Sequence, residues 1–342
     1  MSAPTLVSKS DQTIAIEWTA LVDPATGNSA IVSYNLYWDE ATTTVDIELT
    51  DTLTTTFDVN GLTGGETYLF KVRAYNIYGY GDFSAELSVK ASDVPGNLNI
   101  PTVTLDGIDV KITWEAPDNH DETIDAYEVL FKKADGTYVE DTVNCDASSD
   151  PVFSALTCSI PMIEIPTLTS RTVDTVIQAK VRAQNVNGWS AYSEPNSIGQ
   201  VVHTIPLTMD PVTYVYAEIT NTQTQFHWTA LTGANAGGSA VGIDNYEIEW
   251  DQGDGGSWVS LITLPSTDLT YTHLTRLGGT SYGYRIRAIN EYGDALAFSD
   301  PVYIWTAQAP ETPALPTVTI ESVYVKIAWV EPVTNNRDIT AY

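Results

Sequence analysis

The chain has 342 residues, 43% of them hydrophobic, and its 44 Asp and Glu outweigh 15 Lys and Arg to give a formal net charge of -29. That length accommodates two to four domains with cores of their own, and so acidic a surface excludes nucleic acid and anionic lipid as partners. No run of 18 apolar residues occurs, and residues 1–20 lack the basic-then-apolar order of a signal peptide, so a soluble, mature chain without direct membrane insertion is expected.

In chain order, residues 13–19, Thr-Ile-Ala-Ile-Glu-Trp-Thr, alternate apolar and polar with the period of a half-buried strand. Turn formers follow at Asp23-Pro24-Ala25-Thr26-Gly27-Asn28, and Tyr34-Asn35-Leu36-Tyr37-Trp38 reads as the next strand. A threonine-rich stretch from Thr42 to Thr56 suits exposed strand faces, because the β-branch fits a pleated backbone. The turn Leu62-Thr63-Gly64-Gly65-Glu66-Thr67-Tyr68 leads into Val72-Arg73-Ala74-Tyr75-Asn76, with Gly79 three residues on.

The same order returns twice. Lys111-Ile112-Thr113-Trp114 and Tyr127-Glu128-Val129-Leu130-Phe131 precede Val181-Arg182-Ala183-Gln184-Asn185 and Gly188; Trp228 and Tyr246-Glu247-Ile248-Glu249-Trp250 precede Ile286-Arg287-Ala288-Ile289-Asn290 and Gly293. A fourth unit begins near Pro310 and supplies Trp329 and Tyr342. The expected boundaries are 1–93, 94–207, 208–308 and a partial unit over 309–342. Trp-Thr-Ala-Leu at 18–21 recurs at 228–231, and Pro-Thr-Val-Thr at 101–104 recurs at 316–319. Units one and three are therefore one type, two and four another, as in an extended array grown by duplication. A longer parent protein is expected, with the partial unit either truncated or completed by a strand from a neighbouring chain.

About seven short strands per unit, punctuated by Gly, Pro, Asn and Asp, predict an all-β fold of two-sheet sandwiches. Each complete unit resembles a fibronectin type III domain: Pro near the start, Trp in the second strand, Tyr-x-aliphatic-x-aromatic in the third and Val-Arg-Ala-x-Asn-x-x-Gly in the sixth. The resemblance implies tandem fibronectin type III (immunoglobulin-like) β-sandwiches in an elongated array. It also implies a tyrosine corner at Leu62 and Tyr68, in which a phenol hydroxyl ties down the turn between sheets. Unit two has Ile177 in place of the corner tyrosine, and unit three displaces the leucine before Tyr282 by one residue, which puts the corner in question in both. Trp189-Ser190-Ala191-Tyr192-Ser193 is similar to the Trp-Ser-x-Trp-Ser signature of cytokine-receptor sandwiches, whose leading-domain cysteines this chain lacks.

The two cysteines, Cys145 and Cys158, both lie in unit two, where tryptophan and motif asparagine are 71 residues apart against 58 and 62 in units one and three. The excess over unit one equals the 13-residue cysteine spacing, which suggests a disulfide stapling the insertion; buried free thiols in a reducing compartment are the other reading.

Candidate chemistry is sparse. His120, His203, His227 and His273 stand in unrelated contexts without zinc-ligand spacing. Asp251-Gln252-Gly253-Asp254-Gly255-Gly256 lacks the distal glutamate of a calcium loop and reads as a hairpin turn. Asp118, Asp121 and Glu122 form a dense acidic group expected on a solvated loop. No enzyme activity and no cofactor is expected; a calcium or magnesium ion shared between acidic loops at domain junctions is the one candidate ion site.

On the sixth strands, Lys71 and Arg73, Lys180 and Arg182, and Arg285 and Arg287 share the face opposite the apolar one. With Trp189 they are the candidate interface or cation–π ladder: their stems cover aromatics and their charges pair locally, or a basic stripe receives an acidic neighbour. Tyr78, Tyr80, Trp189 and Trp258 are candidate sugar-stacking platforms. The expected role is an extracellular or cell-surface structural segment of a fibre or stalk, a spacer whose partners are proteins, including neighbouring repeats and its own kind. The alternatives are a ligand-binding receptor ectodomain, an accessory module array of a carbohydrate-active enzyme, or an intracellular titin-like array.

Overall fold

The computed structural model describes residues 1–335 and 337–341. Tyr342, expected to open the third strand of the partial unit, lies outside the described residues. The chain forms two compact bodies, one of residues 1–106, 110–160 and 177–200, the other of 107–109, 161–176 and 201 onward.

The first sandwich comprises β1 (Thr5–Lys9), β2 (Thr13–Glu17), β3 (Ile31–Trp38), β4 (Ile47–Thr52), β5 (Thr56–Asn60), β6 (Thr67–Asn76), β7 (Gly79–Tyr80) and β8 (Leu87–Lys90). One sheet has the order β1-β2-β5; the other runs β4-β3-β6-β7, with β8 also on β6. The alternation in β2 and β6 places Ile14, Ile16, Phe70 and Val72 in the core between the sheets, with Trp18, Tyr34, Leu36 and Val59.

The second sandwich comprises β9 (Thr102–Asp106), β10 (Asp109–Thr113), β11 (Ala126–Lys132), β12 (Tyr138–Glu140), β13 (Thr157–Pro161), β14 (Ala179–Asn185) and β15 (Gly188–Trp189). Its sheets are β13-β10-β9 and β12-β11-β14-β15. Two short helices interrupt the pattern, α1 (Val152–Ala155) before β13 and α2 (Ile165–Thr169) after it. Cys145 and Cys158 form a disulfide. The insertion is not confined to the span between them. The strand equivalent to β5 starts 43 residues after Trp114 where β5 starts 38 after Trp18, and it precedes the motif asparagine by 28 residues where β5 precedes it by 20. Five extra residues therefore lie before β13, where the disulfide is, and eight after it, where α2 forms. Cysteine spacing measured a loop that happens to match the total.

The third sandwich comprises β16 (Thr224–His227), β17 (Asn245–Trp250), β18 (Val259–Pro265), β19 (Thr270–His273), β20 (Ser281–Asn290), β21 (Gly293–Asp294) and β22 (Val302–Trp305). Sheet β16-β19 faces β18-β17-β20-β21, with β22 also on β20. Its core is more aromatic than the first: Phe226 packs on Tyr284 at 4.5 Å between ring centroids and Trp228 meets Tyr246 at 5.6 Å. Beyond it, β23 (Thr317–Glu321) and β24 (Tyr324–Ala328) form a two-stranded ribbon with every residue exposed.

Candidate functional site: ladders and joints

In each sandwich the outer face of the central sheet carries a column of cations interleaved with aromatic rings. Strand alternation puts Val181 and Ala183 in the core and turns Lys180 and Arg182 outward, where the short strand after the motif glycine brings Trp189 back beside them. Arg182 lies 4.4 Å from both the Trp189 and Tyr192 ring centroids, and Lys180 lies 3.9 Å from Tyr192 and 4.0 Å from Tyr138. Glu128, paired with Arg182 in the β11–β14 register, accepts from Arg182 Nε and from the Tyr192 hydroxyl, both at 2.5 Å. Burial and this hydrogen bond to a carboxylate push the Tyr192 phenol up to about 12.

The third sandwich repeats the column with two arginines. Arg285 lies 4.5 Å from Trp258 and 4.7 Å from Phe298, and Arg287 lies 4.7 Å from Phe298. Their cross-strand partners are Glu249 and Glu247, each within 2.8 Å, and Asp294 adds a second carboxylate to Arg287. In the first sandwich the positions opposite Lys71 and Arg73 are Tyr37 and Asn35, not acids. Arg73 rests on Tyr80 at 3.8 Å and donates to the Tyr37 hydroxyl, which in turn donates to Glu48; Lys71 rests on Phe83 at 4.6 Å. Each column is closed by a serine, Ser84, Ser193 or Ser299, whose hydroxyl accepts from the amide of Val72, Val181 or Ile286 at 3.1 Å. In the second sandwich Ser190 does the same for Ala183, so both serines of the Trp-Ser-x-Tyr-Ser run bond the edge of β14.

This geometry alters two sequence-based expectations. Tyr80, Trp189 and Trp258 each present a ring face to a cation of their own sandwich, so those faces are not open sugar platforms. The guanidinium groups of the second and third sandwiches already carry carboxylate partners, so the basic stripe is neutralised where it stands.

A second repeated device lies at the joints between sandwiches, and only its asparagine was singled out by sequence. Asn185 Nδ2 donates to the carbonyls of Asp93, in the segment entering its own sandwich, and of Asn119, in the loop before β11, at 2.8 and 3.3 Å. Asn290 Nδ2 donates to the carbonyls of Thr204 and Ala236, each at 2.8 Å. One residue thus fastens both the incoming chain and a neighbouring loop. The acidic group Asp118, Asp121 and Glu122 belongs to the same region and not to a free loop: Glu122 pairs with Lys90 at 3.4 Å and accepts from Ser92, and the Asp121 carboxylate lies directly over Gly64, so that a side chain there would displace it.

In sequence Asp39 goes unremarked and Asp251 reads only as part of a hairpin turn, yet both are buried acceptors. Asp39 Oδ1 accepts from Leu69 N, and Asp251 Oδ1 accepts from Gly283 N, at 2.9 and 2.8 Å. Both are 1% exposed, and both follow a tryptophan, Trp38 or Trp250, which is the signal that was there to find. Asp251 and Asp254 spend their oxygens on turn amides of the β17–β18 hairpin. Among the described residues no three His, Cys, Asp or Glu are grouped to hold a metal. No helix among the described residues is long and apolar enough to cross a membrane.

Tandem immunoglobulin-like sandwiches, each with a tyrosine-, arginine- and serine-bearing central sheet, define the class as an array of all-β sandwich domains. Residues 2–90 match the Fibronectin type III domain family. The second and third sandwiches repeat the strand pairing of the first in their larger sheets, so the fold is one of tandem fibronectin type III-like sandwiches. It is 26% identical over 260 residues to M-protein of striated muscle from Gallus gallus, covering 72% of this chain and 16% of that one. It is 26% identical to Endoglucanase B of Cellulomonas fimi, covering 89% and 27%, and 30% identical to human Neogenin, covering 36% and 9%. The chain therefore spans about a quarter or less of the length of these relatives.

Proposed function

We propose that this chain is a non-enzymatic structural segment, a spacer in an extracellular or cell-surface array whose partners are other proteins and its own neighbouring repeats. The observation that carries this reading is the joint: the same asparagine in consecutive repeats bonds the incoming segment to the sandwich it enters. A spacer needs joints that hold, whereas a string of independent binding beads does not. The disulfide supports an oxidising compartment, and the Neogenin and M-protein relatives support a role in protein assemblies.

Limited proteolysis tests the reading. Residues 92–95 and 203–206 are expected to resist cleavage under conditions that cut the exposed loop at Val143, which is 86% exposed. Rapid cutting at both joints would overturn it. A second reading, an accessory module of a carbohydrate-active enzyme, is favoured by the Endoglucanase B relative and by a cavity of about 230 Å³ lined by Tyr214, Tyr216, Trp305 and Arg337. Retention on an insoluble polysaccharide, lost in Trp305→Ala, would establish that reading instead.

A further inference from the structure

The joints of the second and third sandwiches show what the equivalent groove of the first is shaped to receive. In the second, the carbonyl of Asp93 accepts from Asn185, and the next side chain, Val94, lies 3.6 Å from where a Cβ on Gly188 would stand. In the third, the carbonyl of Thr204 accepts from Asn290, and Ile205 lies 3.3 Å from the corresponding point on Gly293. Both segments continue into proline, at Pro95 and Pro206. The residue two beyond the asparagine completes the seat: Asn187 donates to Ser92 and to the Asp93 carbonyl, and the Tyr292 hydroxyl meets His203 Nδ1 at 2.8 Å.

The first sandwich has the same parts without the occupant. Asn76 Nδ2 makes the loop bond, to Thr26 O at 2.9 Å, and among the described residues it makes no second one. Nothing lies within 4 Å of a Cβ built on Gly79. Tyr78, the counterpart of Tyr292, is 83% exposed where Tyr292 is 7% exposed. Between them runs a groove of about 260 Å³ lined by Leu21, Thr26, Gly27, Ile31, Tyr78 and Gly79.

We infer that this groove is a docking site for the carboxyl-terminal extension of a further sandwich of the second unit's type, an extended His-x-aliphatic-Pro segment like His203-Thr204-Ile205-Pro206. Its backbone carbonyl takes the free Asn76 hydrogen, its aliphatic side chain fills the space over Gly79, and its imidazole meets the Tyr78 hydroxyl. Histidine, in place of the Ser92 of the other joint, follows from the tyrosine that the first and third sandwiches share at this position. The inference deepens the spacer reading: it specifies which end of which repeat the first sandwich accepts.

The test duplicates residues 94–207 directly ahead of Met1 in the full chain. That places Leu207 four residues before Pro4, the spacing it has before Pro211 in the native order. Tethering supplies millimolar effective concentration, so weak docking is still read. Nitration of Tyr78, followed by mass spectrometry, is expected to slow at least ten-fold relative to the chain of 342 residues, and the rate is expected to recover when the duplicated histidine is changed to Ala. A Tyr78 labelled equally fast in both chains would overturn the proposal. So would a Tyr78 already protected in the unextended chain at high protein concentration, since the occupant would then be a second copy. Either result leaves the proteolysis of the existing joints, and hence the spacer reading, standing on its own.

Discussion

Glu128 faces Arg182 across the β11–β14 pair and shares one oxygen between that guanidinium and the Tyr192 hydroxyl. The arginine is thereby held on its edge by a carboxylate and on its faces by Trp189 and Tyr192. Its side chain is about one-quarter exposed, so the attraction is only partly screened. Arg182→Ala is expected to cost the second sandwich about 2 kcal/mol, from lost cation–π contact, ion pairing and stem packing together, read by urea denaturation. Glu128→Gln is expected to lower the Tyr192 phenol only part of the way from about 12 towards 10, because burial outweighs the hydrogen bond among the causes of its rise; ultraviolet titration of the phenolate checks it.

Tyr68 accepts from the amide of Thr63 at 2.9 Å, and Tyr282 accepts from that of Leu277 at 3.0 Å. The corner is therefore intact in the third sandwich even though its leucine is displaced. Tyr68→Phe and Tyr282→Phe are each expected to cost about 1 kcal/mol, the worth of one hydrogen bond to an otherwise unpaired amide. Calorimetry that resolves the separate sandwiches should show each loss confined to the mutated one.

The corner also shows how far the sequence could be read. Alternation fixes the face of every residue in β2, β6, β14 and β20, and the Trp, Tyr and Asn landmarks place the strands, because these signals are local. The third corner depends on where the turn backbone carries Leu277, which no pattern of residue types encodes. The buried roles of Asp39 and Asp251 were not legible for a related reason: an acid one residue beyond a strand reads as solvated, and only the fold aims it at a buried amide 30 or 32 positions away. The cations were recognised, whereas their carboxylates needed the register of β11 on β14 and β17 on β20.

Reduction of the Cys145–Cys158 disulfide, or Cys145→Ala with Cys158→Ala, is expected to destabilise the second sandwich by roughly 3 kcal/mol, the chain-entropy value for so short a loop. The first and third sandwiches should melt unchanged. A drop of the same size in all three would mean that the sandwiches unfold as one cooperative unit.

His273 is buried between Trp250, Tyr271 and Tyr284, with Nδ1 3.1 Å from the Tyr284 hydroxyl. Burial, with Arg276 nearby, lowers its pKa from 6.5 to about 4. The unfolded chain therefore takes up a proton as the pH falls below about 6.5 while the folded one does not until about 4. Stability of the third sandwich is expected to be full above that window and to fall across it by up to about 3 kcal/mol, then to level off as far as this group is concerned. Urea midpoints at pH 7 and pH 4.5 should differ less in His273→Phe than in the parent.

The joint bonds have a bearing on how such a chain changes over generations. Asn185 and the Asp93 it secures lie in one stretch of sequence, and so do Asn290 and Thr204. A repeat that is copied, lost or transplanted together with the roughly 20 residues ahead of its first tryptophan strand brings its own fastening with it. A cut placed immediately ahead of that strand leaves the fastening behind. Insertions of whole repeats are thus expected to need no compensating change in the neighbours, provided the break falls on the amino-terminal side of Ser92 or His203.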